Sequence, residues 1–360
     1  MRSPLPLRLA ARFGALGFVC SLLLIGMNLV LVHVPGGNPP PCDQAFVRLY
    51  DPPQTKVETV LDVGDGQAYA ALAVDPSISD PGMFCDGPRE LTYRASRPLF
   101  GWMVWAGSLG QPALVPAVLF ILISFGVGLF SFASVLLAAQ YGRNPKLGAL
   151  TLLLPGTIYC IIFLGPEPLA VGCAMLGLVF WRHQPKHAVW SVVFLTAAIM
   201  MRDILIVVPA VVVLHDLVIS RQPLRKLLIL AVPPAVYVAW VGWLYQRYHY
   251  LPSTADTPGR WENTAPPFRG IAQAFRSLEP SVFVGAALVL VFVVLALVRD
   301  KRSELTWCVL AWAAMSIVMG RGVWQLAILR VLLPLYAFGL IVALVPLDRP
   351  TTTRLSSPMD

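Results

Sequence analysis

PALVPAVLFILISFGVGLFSFASVLLAA (Pro112–Ala139) contains no charged residue. A helix crossing the hydrocarbon core of a bilayer needs about 20 mostly apolar residues, because its backbone polar groups must pair internally. This stretch therefore reads as a membrane span, and it sets the class of the chain as an all-α polytopic membrane protein. Working outward, similar apolar stretches lie near 13–33, 147–164, 167–181, 188–201, 204–220, 227–245, 281–298, 305–320 and 325–346, giving about ten spans. The fourth, fifth and ninth are short, so nine or eleven spans stay open. Composition agrees, with 57% hydrophobic and 13% charged residues, about half the charged fraction of a soluble domain.

A net charge of +8 could suggest nucleic acid as a partner, but the distribution of the charge excludes that reading. Lys and Arg enriched in short loops mark the cytoplasmic side. With the N-terminus inside, the inner segments hold Arg2, Arg8 and Arg12; Arg143 and Lys146; Arg182 and Lys186; Arg221, Arg225 and Lys226; Arg299, Lys301 and Arg302; and Arg349 and Arg354. Both termini are thus expected in the cytoplasm. The first span is too long for an ordinary signal-peptide core and lacks a small-residue cleavage site, so it is expected to stay as an anchor. No eukaryotic sorting signal is present, and a bacterial inner membrane is the expected location.

One membrane domain is expected over 1–346, followed by a polar tail, 347–360. Its first outer loop, 34–111, holds nine carboxylates, and its second, 246–280, is aromatic and basic. Within the first loop, Gln67–Val74 suits a short helix, with Asp65-Gly66 as a turn and N-cap and Pro76 as its stop. Phe100–Trp105 suits the membrane interface. Cys42 and Cys85 share this loop and are candidates for a disulfide in an oxidising compartment. Cys20, Cys160, Cys173 and Cys308 lie in spans and read as packing residues.

Ionisable groups collect at the outer membrane edge: Asp62, Asp65 and Tyr69; Arg94 and Arg97; Glu167; Arg202 and Asp203; and Arg321 and Arg330. Charge at membrane depth costs a few kcal/mol per group, so it usually has a partner or a role. Each group also has a plainer explanation. Asp65 could only cap a helix, and Glu167 could only complement a helix dipole. Arg202 and Asp203 could pair with each other, and Arg330 could snorkel outward. The histidines are scattered, and there is no CxxC, HExxH or nucleotide-binding loop, so no metal site is indicated. Taken together, a carboxylate suited to general base work and arginines suited to a phosphate match the needs of a lipid-linked sugar phosphate.

Three segments resemble the GT-C superfamily of polytopic glycosyltransferases. Gly64-Asp65-Gly66-Gln67-Ala68-Tyr69-Ala70-Ala71-Leu72-Ala73 is similar to a D-G-x-x-Y-x-x-x-A stretch in the first outer loop of such proteins. Tyr93-Arg94-Ala95-Ser96-Arg97-Pro98-Leu99-Phe100-Gly101-Trp102 looks like their Y-R-x-x-R-x-L-x-P-x-L run. Leu154-Pro155-Gly156, Glu167-Pro168-Leu169-Ala170 and Met201-Arg202-Asp203 resemble a P-G, E-P-L-A, T-R-E series. The similarity spans roughly 60–215 and departs from the pattern in three ways. Asp65 lies about 30 residues beyond the first span rather than directly after it, Gly101 stands where proline is common, and Asp203 replaces a glutamate.

The resemblance implies transfer of a sugar from a polyprenyl-phosphate donor to an outer-face glycolipid or envelope-glycan acceptor, in a periplasmic site. Asp65 would be the catalytic base with Asp62 as runner-up, and Arg94, Arg97, Glu167, Arg202, Asp203, Arg321, Arg330 and Tyr69 would serve the donor phosphate and substrate. No cofactor is demanded, although the chemistry is compatible with a divalent cation. The competing classes are a lipid or solute transporter (or flippase) and a non-catalytic envelope-assembly subunit.

Overall fold

A computed structural model describes residues 6–34, 47, 49, 53–62, 64–85, 87–183, 187–252 and 264–344. The expected tail and Cys42 lie outside these residues. The described chain is helical, and its β pairing is limited to isolated bridges, Val47 with Phe84 and Thr264 with Met319.

Among the described residues, four helical stretches are long and apolar enough to cross a membrane: Leu7–Leu31, Pro112–Gln140, Leu224–Tyr248 and Pro280–Asp300. A fifth arises if Pro145–Leu153 and Pro155–Ile162, bent by 50°, form one crossing. The bend has a local cause. Leu154 takes an extended conformation before Pro155, which cannot donate to a continuing helix and instead starts the next one.

The other expected spans fold as shorter helices: Glu167–His183 (17 residues), Ala188–Met201 (14), Val207–Val218 (12), Glu304–Ile317 (14) and Leu333–Ala343 (11). Each falls below the roughly 20 residues of a straight crossing, so ten full-length spans are not seen among the described residues. Arg202 illustrates why. Its extended backbone ends one helix, and a 3-10 turn, Asp203–Ile206, intervenes before the next.

The Pro112–Gln140 helix is central, packing against Leu7–Leu31 on one side and Glu167–His183 on another. Trp312 stacks on Phe338 with ring centroids 5.2 Å apart, closing the core between Glu304–Ile317 and Leu333–Ala343. Leu23, Val30, Leu290 and Val298 face outward. An apolar exterior of that kind suits lipid rather than water.

The first loop supplies a helical cap: Lys56–Asp62, Gly66–Val74, Gly87–Ala95 and Pro98–Gly107. The expected short helix is Gly66–Val74, ended by Asp75 and Pro76. Tyr69 meets Phe100 edge-on at 5.0 Å, and the Trp102 indole donates to the Pro76 carbonyl at 3.0 Å. The Trp240 indole donates to the Ala95 carbonyl at 2.8 Å, tying the cap to the Val232–Tyr248 helix. In the cap, Cys85 is disulfide-bonded, whereas Cys20, Cys160, Cys173 and Cys308 are free.

Candidate functional site

Asp65 occupies the N-cap position of Gly66–Val74, but its side chain makes no capping hydrogen bond. Its surroundings are set by the glycines on either side. The Asp65 amide donates to the Phe163 carbonyl at 3.1 Å. A side chain at Gly64 would collide with that same carbonyl, and one at Gly66 would come within 2.8 Å of Leu164. The Gly-Asp-Gly segment therefore lies directly on the connection that leads into Glu167. Leu164 in that connection takes a left-handed conformation (φ 52°).

Released from capping, the Asp65 carboxylate bridges two guanidiniums. Arg94 Nη1 donates to Oδ1 at 2.8 Å, and Arg330 Nη1 donates to Oδ2 at 2.8 Å. Arg94 is held from behind by Glu90, whose Oε1 accepts from Nε at 2.7 Å. Arg330 follows a π-helical turn, Val323–Ala327. Its helix sits against the Pro155–Ile162 helix so closely that any side chain at Gly156 would strike the Leu329 carbonyl. Arg202 Nη2 lies 2.9 Å from Glu167 Oε1, and Arg330 Nε lies 4.0 Å from the same oxygen.

These groups come from sequence-distant elements; Asp65 (8% exposed), Arg202 (7%) and Glu167 (2%) are buried, and Arg94 and Arg330 are half-buried. The Arg202–Glu167 pair is ionic without hydrogen-bond geometry. Both Glu167 oxygens and Arg202 Nε lack a hydrogen-bond partner among the described residues. Buried polar atoms are rarely left this way. Burial alone would raise the proton affinity of Asp65, but Arg330, Arg94 and Arg202 outweigh it and hold the carboxyl well below the usual range. Burial, followed by the Asp65 charge, pushes the Tyr69 phenol above its usual value, so Tyr69 stays a neutral hydroxyl.

Arg202 and Asp203 do not pair with each other. Arg202 turns to Glu167, while Asp203 accepts an ion pair from Arg97 Nε at 3.1 Å. The Arg97 guanidinium lies 4.8 Å over the Tyr93 ring. Tyr237, which carried no motif in the sequence, interacts there with Asp203 and Ser96. Asp62 is exposed and accepts from Gln67 Nε2 at 2.5 Å. Arg321 is also exposed and donates to Gln325 Oε1 at 2.9 Å, and none of the ion pairs described brings it to Asp65. The structure thus gathers Asp65, Tyr69, Arg94, Glu167, Arg202 and Arg330, sets Arg97 and Asp203 beside them, and leaves Asp62 and Arg321 at the surface.

A second ionic cluster, unanticipated from sequence, sits at the other end of the Glu167–His183 helix. Arg182 donates to both Asp216 oxygens, at 2.9 and 2.7 Å. It also bonds both Glu304 oxygens, through Nε at 3.0 Å and through Nη2. The Tyr141 hydroxyl donates to Glu304, and the Trp181 indole to Asp216 at 3.2 Å. A cavity of ≈ 310 Å³ opens here, lined in part by Tyr141, Arg182, His215 and Glu304. His215, Asp216 and Glu304 place ligand-type atoms within 4.8 Å of one another. These residues do not fit a cation, because Arg182 already occupies the carboxylates. His215 Nε2 lies 2.8 Å from the Arg302 carbonyl.

The chain matches no protein-family model, no curated protein and no solved structure.

Proposed function

We propose that this protein is a membrane glycosyltransferase that moves a sugar from a polyprenyl-phosphate donor to a glycolipid or glycan acceptor on the outer face of a bacterial inner membrane. On this reading the short helices, with their 3-10 turns, complete about ten crossings. The single observation that carries the reading is Asp65 bridging Arg94 and Arg330 beside the Glu167–Arg202 pair. It supplies an ionised carboxylate and a set of guanidiniums within one buried cluster.

The chemistry follows from those groups. The donor phosphate would be held by Arg330, Arg94 and Arg202, whose planar donors suit phosphate oxygens. Asp65 would accept the proton of the acceptor hydroxyl as that oxygen attacks the anomeric carbon. The bond between the anomeric carbon and the phosphate oxygen breaks, and the lipid phosphate leaves with that oxygen and the bonding pair. The arginines stabilise the charge that develops on it. Tyr69, kept neutral, would hydrogen-bond a sugar hydroxyl. Arg97 and Asp203 would shape the adjoining wall. The guanidiniums supply the positive charge that a divalent cation would otherwise bring, so the mechanism does not require one.

The test is transfer of radiolabelled sugar from polyprenyl-phosphate donors by the full chain in membranes. The wild type should transfer, and Asp65→Asn at equal protein level should lose about 10²–10⁴-fold, the usual contribution of a general base. A wild type that transfers from no donor, yet moves lipid or solute between leaflets, would replace this reading with transport.

A further inference from the structure

The arginines assigned to the donor phosphate are already holding an anion. Asp65 presents one carboxylate oxygen to each of two guanidiniums, each at 2.8 Å. Two oxygens of a phosphate ester would engage the same pair in the same way. The charges in the cluster also balance as they stand. Asp65, Glu90 and Glu167 face Arg94, Arg202 and Arg330, so an incoming anion finds no surplus positive charge unless a carboxylate yields. Asp65 is the one placed to yield. Its side chain caps no helix, so turning away breaks no backbone bond, and it is less deeply buried than Glu167.

We propose that Asp65 occupies a phosphate-binding arginine pair in the ligand-free protein, and that a phosphate ester entering the site displaces its carboxylate from Arg94 and Arg330. This rests on the reading of the cluster as a site for a sugar phosphate. Carboxylate and phosphate then compete for one pair of guanidiniums. Once displaced, Asp65 loses the neighbouring charges that weaken it as a base. It therefore becomes competent to take a proton only when the donor is in place.

The experiment is calorimetric titration of the full chain in lipid nanodiscs with dodecyl phosphate and, separately, with inorganic phosphate. Asp65→Asn keeps the side-chain volume but removes the competing charge. It should bind the phosphate probe about tenfold or more tightly than the wild type, given the strength of charge-assisted bonds. Adding Arg330→Gln should cancel that gain. A gain with both probes supports a site for the phosphate group itself, and a gain with dodecyl phosphate alone supports a site for a lipid phosphate. Folded Asp65→Asn that binds both probes no more tightly than wild type overturns the proposal.

Should Asp65→Asn fail to fold, infrared difference spectra of the wild type decide. A shifted carboxylate stretch on adding dodecyl phosphate supports displacement, and an unchanged carboxylate region overturns it. Wild-type protein that passes these binding tests but transfers no sugar would end the glycosyltransferase reading while leaving displacement standing.

Discussion

The two ends of the Glu167–His183 helix, about 24 Å apart at 1.5 Å per residue, both carry buried ion pairs but finish them differently. At the C-terminal end Arg182 meets all four oxygens of Asp216 and Glu304, and Tyr141 and Trp181 add donors. At the N-terminal end Glu167 has a cationic neighbour and the Cys160 thiol close by, but among the described residues neither of its oxygens, nor Arg202 Nε, is matched in hydrogen-bond geometry. A saturated network resists change and fastens helices together. An unsaturated one keeps hydrogen-bonding capacity for something that enters. On the proposed reading, that difference separates a staple from a site, although both use the same residue types.

Asp65→Asn should break the comparison most severely. It should lower sugar transfer about 10²–10⁴-fold, while Arg182→Met leaves transfer per folded molecule near wild type. Equal losses in the two variants would erase the distinction between the ends. Arg182→Met should instead act on stability. It strands two buried carboxylates, a change that typically costs about 3–5 kcal/mol, read as a lowered midpoint of thermal unfolding in detergent. Tyr141→Phe sharpens the same point on a smaller scale. It removes one donor to a charged acceptor and should cost about 1.5–3 kcal/mol, again with transfer unaffected.

The smallest effect concerns acid. The Asp65 carboxyl is held below its usual range by Arg330, Arg94 and Arg202 against the opposing effect of burial. A depressed carboxyl contributes stability that is fully present above its unfolded value, about 3.9, and is lost as pH falls toward the folded value. The cap should therefore stay docked between pH 8 and 5 and loosen only below about pH 4. Indole fluorescence of Trp102 and Trp240, which anchor the cap, would report it.

Much of the site was legible because its residues are costly where they stand. Charged groups beside apolar runs, Asp65, Glu167, Arg202 and Arg330 among them, drew attention one by one, and the structure places them together. The details were not legible, because they depend on contacts between distant segments. Asp-Gly correctly marked the start of the Gly66–Val74 helix. Nothing local, however, could say that Asp65 would face Arg330, 265 residues away, instead of the first backbone amides. Arg202 and Asp203, adjacent in sequence, read equally well as each other's partner. An extended backbone at Arg202 sends their side chains to different partners, Arg202 to Glu167 and Asp203 to Arg97.

The Arg182 cluster escapes a sequence reading for a different reason. Arg182 was absorbed into the count of basic residues that orients the chain, and His215 looked isolated. The usable signal is Asp216 and Glu304, acids standing beside connections otherwise rich in Lys and Arg. Apolar composition continues across the helix breaks at Leu154–Pro155 and Arg202, and hydropathy alone does not register them.

The close seat of Gly64 on the Phe163 carbonyl has one more consequence. Alanine there would add a single carbon that no substrate need ever touch, and the backbone would have to back away to make room. The neighbouring carboxylate would be levered off its guanidiniums with every reactive group still chemically intact. The tolerance of this site is thus narrowest at a position with no side chain, where room for one more methyl group is what is lacking.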